Sequence, residues 1–306
     1  MNSIQNKLDS FPIYKVEIDK FNRENKGTKE KYWNEINHKK CLIKFNNRSK
    51  DDKCDIRSAN VSEKIYSEIA NYLEIECVKT DFIVDDRKRF GIASYDFKKE
   101  GMFIVSGDDL FFSVFNRIPN KKGDNISSTD YTYDNIVKIL FYYDQKGDLL
   151  KKFNSMLVLD ALFGEGDRHH ENWGLYKDES TNEKYDFLPI YDNSSCLLHQ
   201  LREEQILKKF ILSKDMQSYV KKSKSKITIG GKKYTHFEFI DYLLENLPNE
   251  FKNDLQKNIE NLNKLTDDYI YKLINRIPCD VCSMEHKNLI IQYIIIRRDL
   301  LLSKVV

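Results

Sequence analysis

Three polar side chains stand out because each lies in a polar segment next to apolar sequence. Asp167 and Asn172 lie in the polar break Gly164–Asn172 (GEGDRHHEN), between SMLVLDALF and WGLY. Asp192 ends a short β-prone run in LPIYDNSS. Loops tethered by buried elements can hold reactive groups still and leave them accessible. We therefore expect the chemistry of this chain to concentrate at these residues.

The residue types and their spacing suit phosphoryl transfer from ATP. That reaction needs one carboxylate to orient or accept the proton of the attacking hydroxyl, and Asp167 can do this. It also needs oxygen ligands for Mg²⁺, a hard cation, and Asn172 and Asp192 can supply them. The Asp-x-x-x-x-Asn spacing equals that of the protein-kinase catalytic loop.

A lysine much earlier in the chain completes this set. Lys44 lies in the β-prone run Lys40–Phe45, and an inward-pointing ammonium there needs negative partners because desolvating its charge is costly. Triphosphate oxygens would satisfy it, and Glu63 could hold it in place, with Glu68 as the alternative. Two other interpretations remain open: a lysine facing solvent and a Glu63 that only caps its helix.

The elements that must position these residues change from β-prone to helical along the chain. Ile65 and Ile69 form a helical stripe over Asn60–Leu73, with Asn60 and Glu63 spaced as a capping box. Charged turn residues between two apolar runs predict a hairpin. The hairpin strands are Asp81–Val84 and Gly91–Tyr95, and further short strands are expected at Trp173–Tyr176 and Phe187–Tyr191. Helices are expected at Asp134–Tyr143, Leu149–Phe163, Glu203–Tyr219, His236–Leu247, Phe251–Leu262, Asp267–Ile277 and Glu285–Ser303. A solvated loop is expected at Lys221–Lys226. This order indicates two lobes with a cleft between them.

Composition excludes several classes of protein. The 306 residues carry 50 Lys+Arg and 48 Asp+Glu, a net charge of +2, so no global field marks nucleic acid or an anionic membrane as a partner. Six cysteines are too sparse for a disulfide scaffold and suit a reducing cytosol. The most apolar stretch, Asn288–Leu302, is interrupted by charges, and the N-terminus has no secretion signal. We expect a cytoplasmic protein without direct nucleic-acid or membrane partners.

Four motifs in order resemble the HipA-like kinases: KCLIKF, VSEKIYSEIANYL, GDRHHEN and YDNSS. Gly27–Trp33 (GTKEKYW) looks like that family's glycine-containing loop, so the resemblance spans roughly Gly27 to Ser195. The Asp-Arg-His-x-x-Asn loop is also similar to that of phosphoinositide 3- and 4-kinases. The resemblance implies an α+β, two-lobed protein-kinase-like fold. It places a small β-rich N-lobe over residues 1–98 and a larger, mostly helical C-lobe over residues 99–306.

The same resemblance implies a role for each matching residue. Asp167 takes the position of the catalytic base, and Asn172 and Asp192 take the Mg²⁺ positions. Lys44 takes the position that anchors the ATP phosphates, and Glu63 takes that of its ion-pair partner.

The remaining nucleotide contacts are also implied by resemblance. Gly27 and Thr28 fall in the loop that covers the phosphates. Ser94–Phe97 looks like the segment that joins the lobes and meets adenine through its backbone, with Tyr95 as the main candidate. The autophosphorylated Ser of the founding toxins has no counterpart in Asn22–Lys26, although Thr28 could substitute.

The resemblance implies a Ser/Thr protein kinase that uses ATP and Mg²⁺ and acts as a toxin of a toxin–antitoxin system. A translation component, such as an aminoacyl-tRNA synthetase, is then a candidate substrate, and an antitoxin is a candidate partner. Two alternatives stay open: a nucleotide-binding pseudokinase that serves as an interaction module, and a lipid or small-molecule kinase.

Other residues that could carry chemistry have less specific interpretations. Arg168 either stabilises phosphate charge or pairs with a structural carboxylate, and we expect His169 to brace its loop. A transition-metal site of loop histidines and carboxylates would match no known metal motif. Cys279 and Cys282 form a CxxC without the second pair that zinc needs, so we expect them to serve packing or capping.

Overall fold

The computed structural model describes residues 9–19, 22–24, 30–45, 58–116, 130–181, 184–199 and 216–305. Within these ranges the strands are β1 (Ile13–Val16), β2 (Arg23–Glu24), β3 (Lys31–Ile36), β4 (Lys39–Phe45), β5 (Thr80–Asp85), β6 (Phe90–Tyr95), β7 (Met102–Ser106), β8 (Gly174–Asp178) and β9 (Tyr185–Phe187). The helices are α1 (Ser58–Tyr72), α2 (Gly107–Phe115), α3 (Tyr133–Tyr143), α4 (Asp148–Phe163), α5 (Met216–Val220), α6 (His236–Asn246), α7 (Asn249–Glu260), α8 (Asp267–Asn275) and α9 (Met284–Leu302). Two 3₁₀ helices cover His170–Asn172 and Asn261–Lys264.

The strands form two sheets. The N-terminal sheet has the order β1-β5-β6-β4-β3-β2, in which β1 runs parallel to β5 and the other pairs are antiparallel. The smaller sheet has the order β7-β8-β9. A β-rich N-terminal sheet followed by a helical C-terminal part confirms the predicted α+β fold class.

Side-chain alternation on β4 sets the position of Lys44. Successive residues of a strand point to opposite faces, and Cys41, Ile43 and Phe45 pack in a small cluster on one face. Lys44 lies on the other face, beside its register partner Ile92, which belongs to the main core under α1. A buried ammonium is thereby directed at a helix that must supply its counter-charge.

Helix α4 fixes the start of the polar loop that follows it. It packs against α3, α6, α7 and α9, so its C-terminal end is held from several sides. Gly164 ends the helix in the left-handed conformation, at φ +70°, which glycine adopts at little cost. A Cβ at this position would lie 2.2 Å from the Tyr293 hydroxyl on α9, so the close packing also requires glycine.

A buried guanidinium ties this loop to α4. Arg168 donates from Nε and Nη2 to the two carboxylate oxygens of Asp160, at 2.9 and 2.7 Å. The Tyr66 hydroxyl on α1 donates to the same carboxylate at 2.8 Å. Arg168 therefore pairs with a structural carboxylate, which decides between its two sequence interpretations.

The same guanidinium also reaches the segment that contains Asp192. Arg168 donates to the carbonyl oxygens of Asn172 and Tyr191, at 3.1 and 3.0 Å, and to the side-chain oxygen of Asn193 at 2.6 Å. One buried side chain thus fixes the distance between the two loops that carry the candidate site.

A second buried arginine connects α9 to the end of α4. Arg297 donates from Nε and Nη2 to the carbonyl oxygen of Ala161, at 2.8 and 2.6 Å. It also donates to the Ser223 hydroxyl at 2.8 Å and to the carbonyl oxygen of Val220. The final described helix therefore supports the base of the loop after α4.

Several sequence expectations need correction. Asn60 lies inside α1, which has begun by Ser58, so the proposed capping box with Glu63 is wrong. The strand expected over Phe187–Tyr191 is wrong in its extent, because β9 ends at Phe187 and only an isolated bridge at Ile190 follows. In the expected helix Glu203–Tyr219, residues 203–215 lie outside the described residues.

None of the helices in the described ranges is both long enough and apolar enough to cross a bilayer.

The Arg168–Asp160 pair gives a stability prediction. Asp160→Asn keeps the side-chain size but removes the charge that balances a buried guanidinium, so we expect the free energy of unfolding to fall by about 3 kcal/mol. Urea denaturation measures this loss. Asp148→Asn, on the same helix, removes only an exposed carboxylate paired with Lys151 at 3.3 Å and should cost less than about 1 kcal/mol. Equal losses in the two variants would contradict the assigned role of Asp160.

Candidate active site

The ammonium group of Lys44 lies between two carboxylates from distant parts of the chain. Its Nζ is 2.8 Å from Glu63 Oε1 and 3.0 Å from Asp192 Oδ1. The side chains of Lys44 and Glu63 are buried, whereas that of Asp192 is 28% exposed. The Ser94 hydroxyl donates to Glu63 at 2.8 Å and fixes its orientation. Glu68 instead binds Lys64, at 2.7 Å.

At Lys44 the neighbouring negative charges affect the pKa more than burial does. Burial alone would lower its pKa, but the carboxylates of Asp192 and Glu63 raise the pKa of Lys44 above its ordinary value. The lysine is therefore a permanent cation that links the N-terminal sheet to α1 and to the segment that contains Asp192. A fixed cation with one partly exposed carboxylate partner is suited to bind phosphate oxygens.

Asp167 lies on the loop after α4 with a half-exposed side chain. Its backbone N–H donates to Glu165 Oε1 at 2.8 Å. Its carboxylate has Lys226 Nζ 3.4 Å from Oδ1 and His169 Nε2 3.9 Å from Oδ2. The backbone is held while the carboxylate stays accessible, an arrangement suited to a group that must meet a substrate hydroxyl.

Asn172 closes the same loop from its other end. Its side-chain amide nitrogen, Nδ2, donates to the carbonyl oxygen of Asp167 at 3.0 Å. Because the nitrogen is used inside the loop, the side-chain oxygen is the atom available as a ligand. His169 braces the turn by accepting a hydrogen bond from the Glu171 N–H, at 3.2 Å, through Nδ1.

The backbone at Asp192 is held in an unfavourable conformation. Its φ is +56°, in the left-handed region, which costs a non-glycine residue about 1 kcal/mol. The residues on either side, Tyr191 and Asn193, are both bound by Arg168. These bonds keep Asp192 in the conformation that directs its carboxylate at Lys44.

Sequence reasoning missed Glu165, which links the two loops. This buried carboxyl accepts the Asp167 N–H through Oε1 at 2.8 Å and the Ser195 N–H through Oε2 at 3.1 Å. Burial raises the pKa of Glu165 to about 8. A glutamate between two glycines has no periodicity that would mark it as buried, so only the tertiary structure shows its role.

His236, the first residue of α6, holds the backbone of Glu165. Its Nε2 lies 2.8 Å from the carbonyl oxygen of Glu165, and a bond to a carbonyl requires that nitrogen to carry the proton. Burial lowers the pKa of His236 to about 4, so the imidazole is neutral at physiological pH. It is a fixed donor rather than a proton carrier.

Sequence reasoning also missed Lys226 as a neighbour of the site, because KKSKSK was expected to form a solvated loop. Lys226 Nζ lies 3.4 Å from the Asp167 carboxylate, nearer than His169 Nε2 at 3.9 Å. The alternation of Lys with Ser, which is typical of an extended segment, was the available signal.

The segment expected to meet adenine, Ser94–Phe97, is held by a side-chain hydrogen bond, but the ring of Tyr95 lies on the face of the sheet away from Lys44. The Tyr95 hydroxyl donates to Asp81 at 3.0 Å, and its ring packs with the small cluster on the face of the sheet opposite Lys44. Phe97 stacks on Tyr191 with ring centroids 5.3 Å apart, which connects this segment to the Asp192 run. Gly27 and Thr28 lie outside the described residues.

A transition-metal site needs several side chains that converge on one point. No group of three or more His, Cys, Asp or Glu side chains converges anywhere in the described ranges, so the transition-metal interpretation has no ligand set there. Cys279 is exposed and Cys282 is buried in the turn between α8 and α9.

Known proteins share this architecture. The model of the HipA-like C-terminal domain family matches residues 16–270. A serine/threonine-protein kinase, CtkA of Helicobacter pylori, is 27% identical over 139 residues, which cover 45% of this chain and 41% of that protein. The aligned part is thus less than half of the relative's length.

Two solved structures share the fold. The crystal structure of the Helicobacter pylori proinflammatory kinase CtkA has a TM-score of 0.75 at 19% identity and covers 96% of this chain and 98% of its own. HipA of Shewanella oneidensis MR-1, solved with HipB and operator DNA, has a TM-score of 0.57 at 14% identity and covers 94% and 66%. Identities this low establish the fold only. Since the family model spans most of the chain, this protein belongs to the HipA-like C-terminal domain family.

Proposed function

We propose that this protein is an ATP- and Mg²⁺-dependent protein kinase that transfers the γ-phosphoryl group to a Ser or Thr hydroxyl. The observation that carries the proposal is the Lys44 ammonium, held between Glu63 at 2.8 Å and Asp192 at 3.0 Å. Kinases need a lysine oriented by a helix glutamate beside a carboxylate that binds metal. The kinase name of the CtkA relative supports the same activity.

The donor set fits Mg²⁺. Asp192 offers a partly exposed carboxylate, and Asn172 offers an amide oxygen whose nitrogen is engaged elsewhere. Hard oxygen donors of this kind, few in number, are typical of Mg²⁺ sites completed by substrate phosphates and water. When bound there, the ion would neutralise charge on the β- and γ-phosphates.

The chain's own residues would perform the remaining steps. Lys44 would bind phosphate oxygens, and Glu63, fixed by Ser94, would keep the ammonium in place. Asp167 would orient the acceptor hydroxyl and receive its proton as the oxygen–phosphorus bond forms. Catalysis of this type depends on positioning and electrostatics more than on covalent chemistry.

The finer assignments are part of this proposal. We place the lobe boundary near residue 98, since β6 ends at Tyr95 and β7, which begins at Met102, pairs with β8 of the helical part. Tyr95 keeps a proposed adenine contact through its backbone, and Gly27 and Thr28 keep theirs in the phosphate loop. The protein is proposed to act in the cytoplasm.

The substrate and partner are also proposals. The solved HipA complex contains HipB and is described as a toxin–antitoxin system, which supports a toxin role and an antitoxin partner here. A translation component, such as an aminoacyl-tRNA synthetase, is the proposed substrate by resemblance to the family.

The first prediction concerns metal-dependent nucleotide binding. A ligand that binds only the native state stabilises it by mass action, by about 2.7 kcal/mol at one hundred times its Kd. ATP with Mg²⁺ should therefore raise the melting temperature by roughly 5 °C, and ATP with EDTA should raise it much less. Differential scanning fluorimetry measures both shifts, and equal shifts would remove the Mg²⁺ assignment of Asn172 and Asp192.

The second prediction concerns Lys44. Lys44→Met keeps a long side chain but removes the phosphate-binding cation, so phosphoryl transfer should fall at least about a hundredfold. Lys39→Met, an exposed position on the same strand, is the matched control and should retain wild-type transfer. Circular dichroism verifies that both variants are folded. Near-normal transfer by folded Lys44→Met would rule out this lysine as the phosphate anchor.

The third prediction separates chemistry from nucleotide binding. Asp167→Asn removes the base but no metal ligand, so it should abolish transfer and keep affinity for a Mg²⁺-bound ATP analogue within a few-fold. Asp192→Asn removes a charged ligand and should weaken both. Calorimetry with a non-hydrolysable analogue, beside a transfer assay with labelled ATP, measures the two effects.

The same binding and transfer measurements also distinguish a kinase from a nucleotide-binding interaction module. If Asp167→Asn binds nucleotide as poorly as Asp192→Asn, the division of roles is wrong. If the wild-type protein binds Mg²⁺ and ATP but transfers no more phosphate than Asp167→Asn, the protein is a nucleotide-binding interaction module instead of a kinase.

A further inference from the structure

Residues 221–235 (KKSKSKITIGGKKYT) form a two-armed segment, which we call the basic ribbon. The arms are joined by a hydrogen bond of 3.1 Å from the Ser225 N–H to the carbonyl oxygen of Tyr234. The chain reverses at Gly230–Gly231, where both φ values are positive, +56° and +80°, as tight hairpin turns require. The segment is therefore an ordered structure and not a featureless solvated loop.

Exposure alternates along the first arm of the basic ribbon. Outward side chains are exposed or half-exposed, and the residues between them are buried or half-buried. The outward residues are Lys222, Lys224 and Lys226, and the inward residues are Ser223, Ser225 and Ile227. Alternate residues of an extended chain lie about 7 Å apart on one face. The arm thus presents a row of three cations, which we call the lysine row.

The lysine row leads to the proposed catalytic base. Lys226 Nζ lies 3.4 Å from Asp167 Oδ1. The ribbon is held in this position, because His236, directly after it, contacts the carbonyl oxygen of Glu165 at 2.8 Å. Positive charge therefore lies beside the carboxylate that the acceptor hydroxyl would meet.

The ribbon concentrates positive charge in one stretch of the sequence, and Glu238, which interacts with Lys224, is the first carboxylate after it. The run from Lys221 to Phe237 contains six lysines and no Asp or Glu, whereas the whole chain has a net charge of only +2. Such a concentration of one sign beside a cleft attracts ligands of the opposite sign.

We propose that the lysine row recognises acidic residues of the protein substrate, on one side of the acceptor Ser or Thr. This inference rests on the proposed kinase function, since it requires the acceptor hydroxyl to lie at Asp167. An extended substrate peptide has the same two-residue side-chain spacing as the arm. Asp or Glu two and four residues from the acceptor would then meet Lys224 and Lys222.

An acidic peptide fits the row better than a nucleic acid does. Proteins that bind single strands combine basic grooves with aromatic platforms on which bases stack. The residues between these lysines are two serines, Ile227 follows the last lysine, and all three side chains face inward. The row therefore offers charge at regular intervals without a stacking surface.

The test is a peptide array with the full chain, ATP and Mg²⁺. Each peptide has a central Ser or Thr in a glutamine-rich background, with Glu, Gln or Lys scanned over the flanking positions. Glu at the second and fourth positions on one side should raise kcat/KM about three- to tenfold over Gln, as expected for two partly exposed ion pairs. The advantage should shrink at high salt.

Charge reversal distinguishes recognition from a structural role. The variant Lys222→Glu/Lys224→Glu should prefer Lys-containing peptides over Glu-containing ones, with unchanged KM for ATP and unchanged activity on the Gln peptide. The control variant Lys257→Glu/Lys264→Glu makes the same charge change at exposed positions on α7 and the following 3₁₀ helix, and it should keep the wild-type preference.

Three results would overturn the inference and leave the kinase proposal intact: a flat flanking profile, selection of basic residues by the wild-type protein, or a preference unaffected by charge reversal. Competition by a single-stranded RNA or DNA oligonucleotide that is lost in the reversal variant, without any acidic preference, would assign the row to nucleic acid instead. Transfer by the wild-type protein no greater than that of Asp167→Asn, on every peptide and on itself, would overturn the proposed function and this inference with it.

Discussion

The ion pairs of Lys44 impose the main constraint on this structure. An ammonium on a central strand can be buried only if its charge is balanced, and here the balance comes from Glu63 on α1 and Asp192 in the helical part. The N-terminal sheet, α1 and the Asp192 segment must therefore keep a fixed relation. A phosphate group that approaches Lys44 finds a cation that is already oriented, so little ordering entropy has to be lost on binding.

The two loops that carry Asp167 and Asp192 depend on a second buried cation. Arg168 follows the proposed base directly in sequence, yet it points inward to Asp160 and to the carbonyl oxygens of Asn172 and of Tyr191, the residue before Asp192. Each of these acceptors would be costly to bury without its donor. Asp167 and Asp192 thus lie on short loops whose backbones are held by a buried donor while their own carboxylates stay partly exposed.

The sequence predicted most of the helical part and the central motifs, because apolar periodicity directly reflects burial. The helices expected over Asp134–Tyr143 and Leu149–Phe163 begin and end within one residue of α3 and α4. β1 was missed because it is short and its partner β5 lies far along the chain. The linking role of Glu165 was also missed, since it arises only when two loops meet in space.

The contacts of Arg297 have a consequence for protein synthesis. The carbonyl oxygen of Ala161, at the base of the catalytic loop, accepts its hydrogen bonds from a residue on α9. During translation, Lys44, Asp167 and Asp192 leave the ribosome well before that helix is made. Domains fold as their chains emerge, but this loop lacks its support until α9 can pack. A growing chain therefore carries Lys44, Asp167 and Asp192 before this support exists, and the loop after α4 can take its final hydrogen bonds only once α9 has been made.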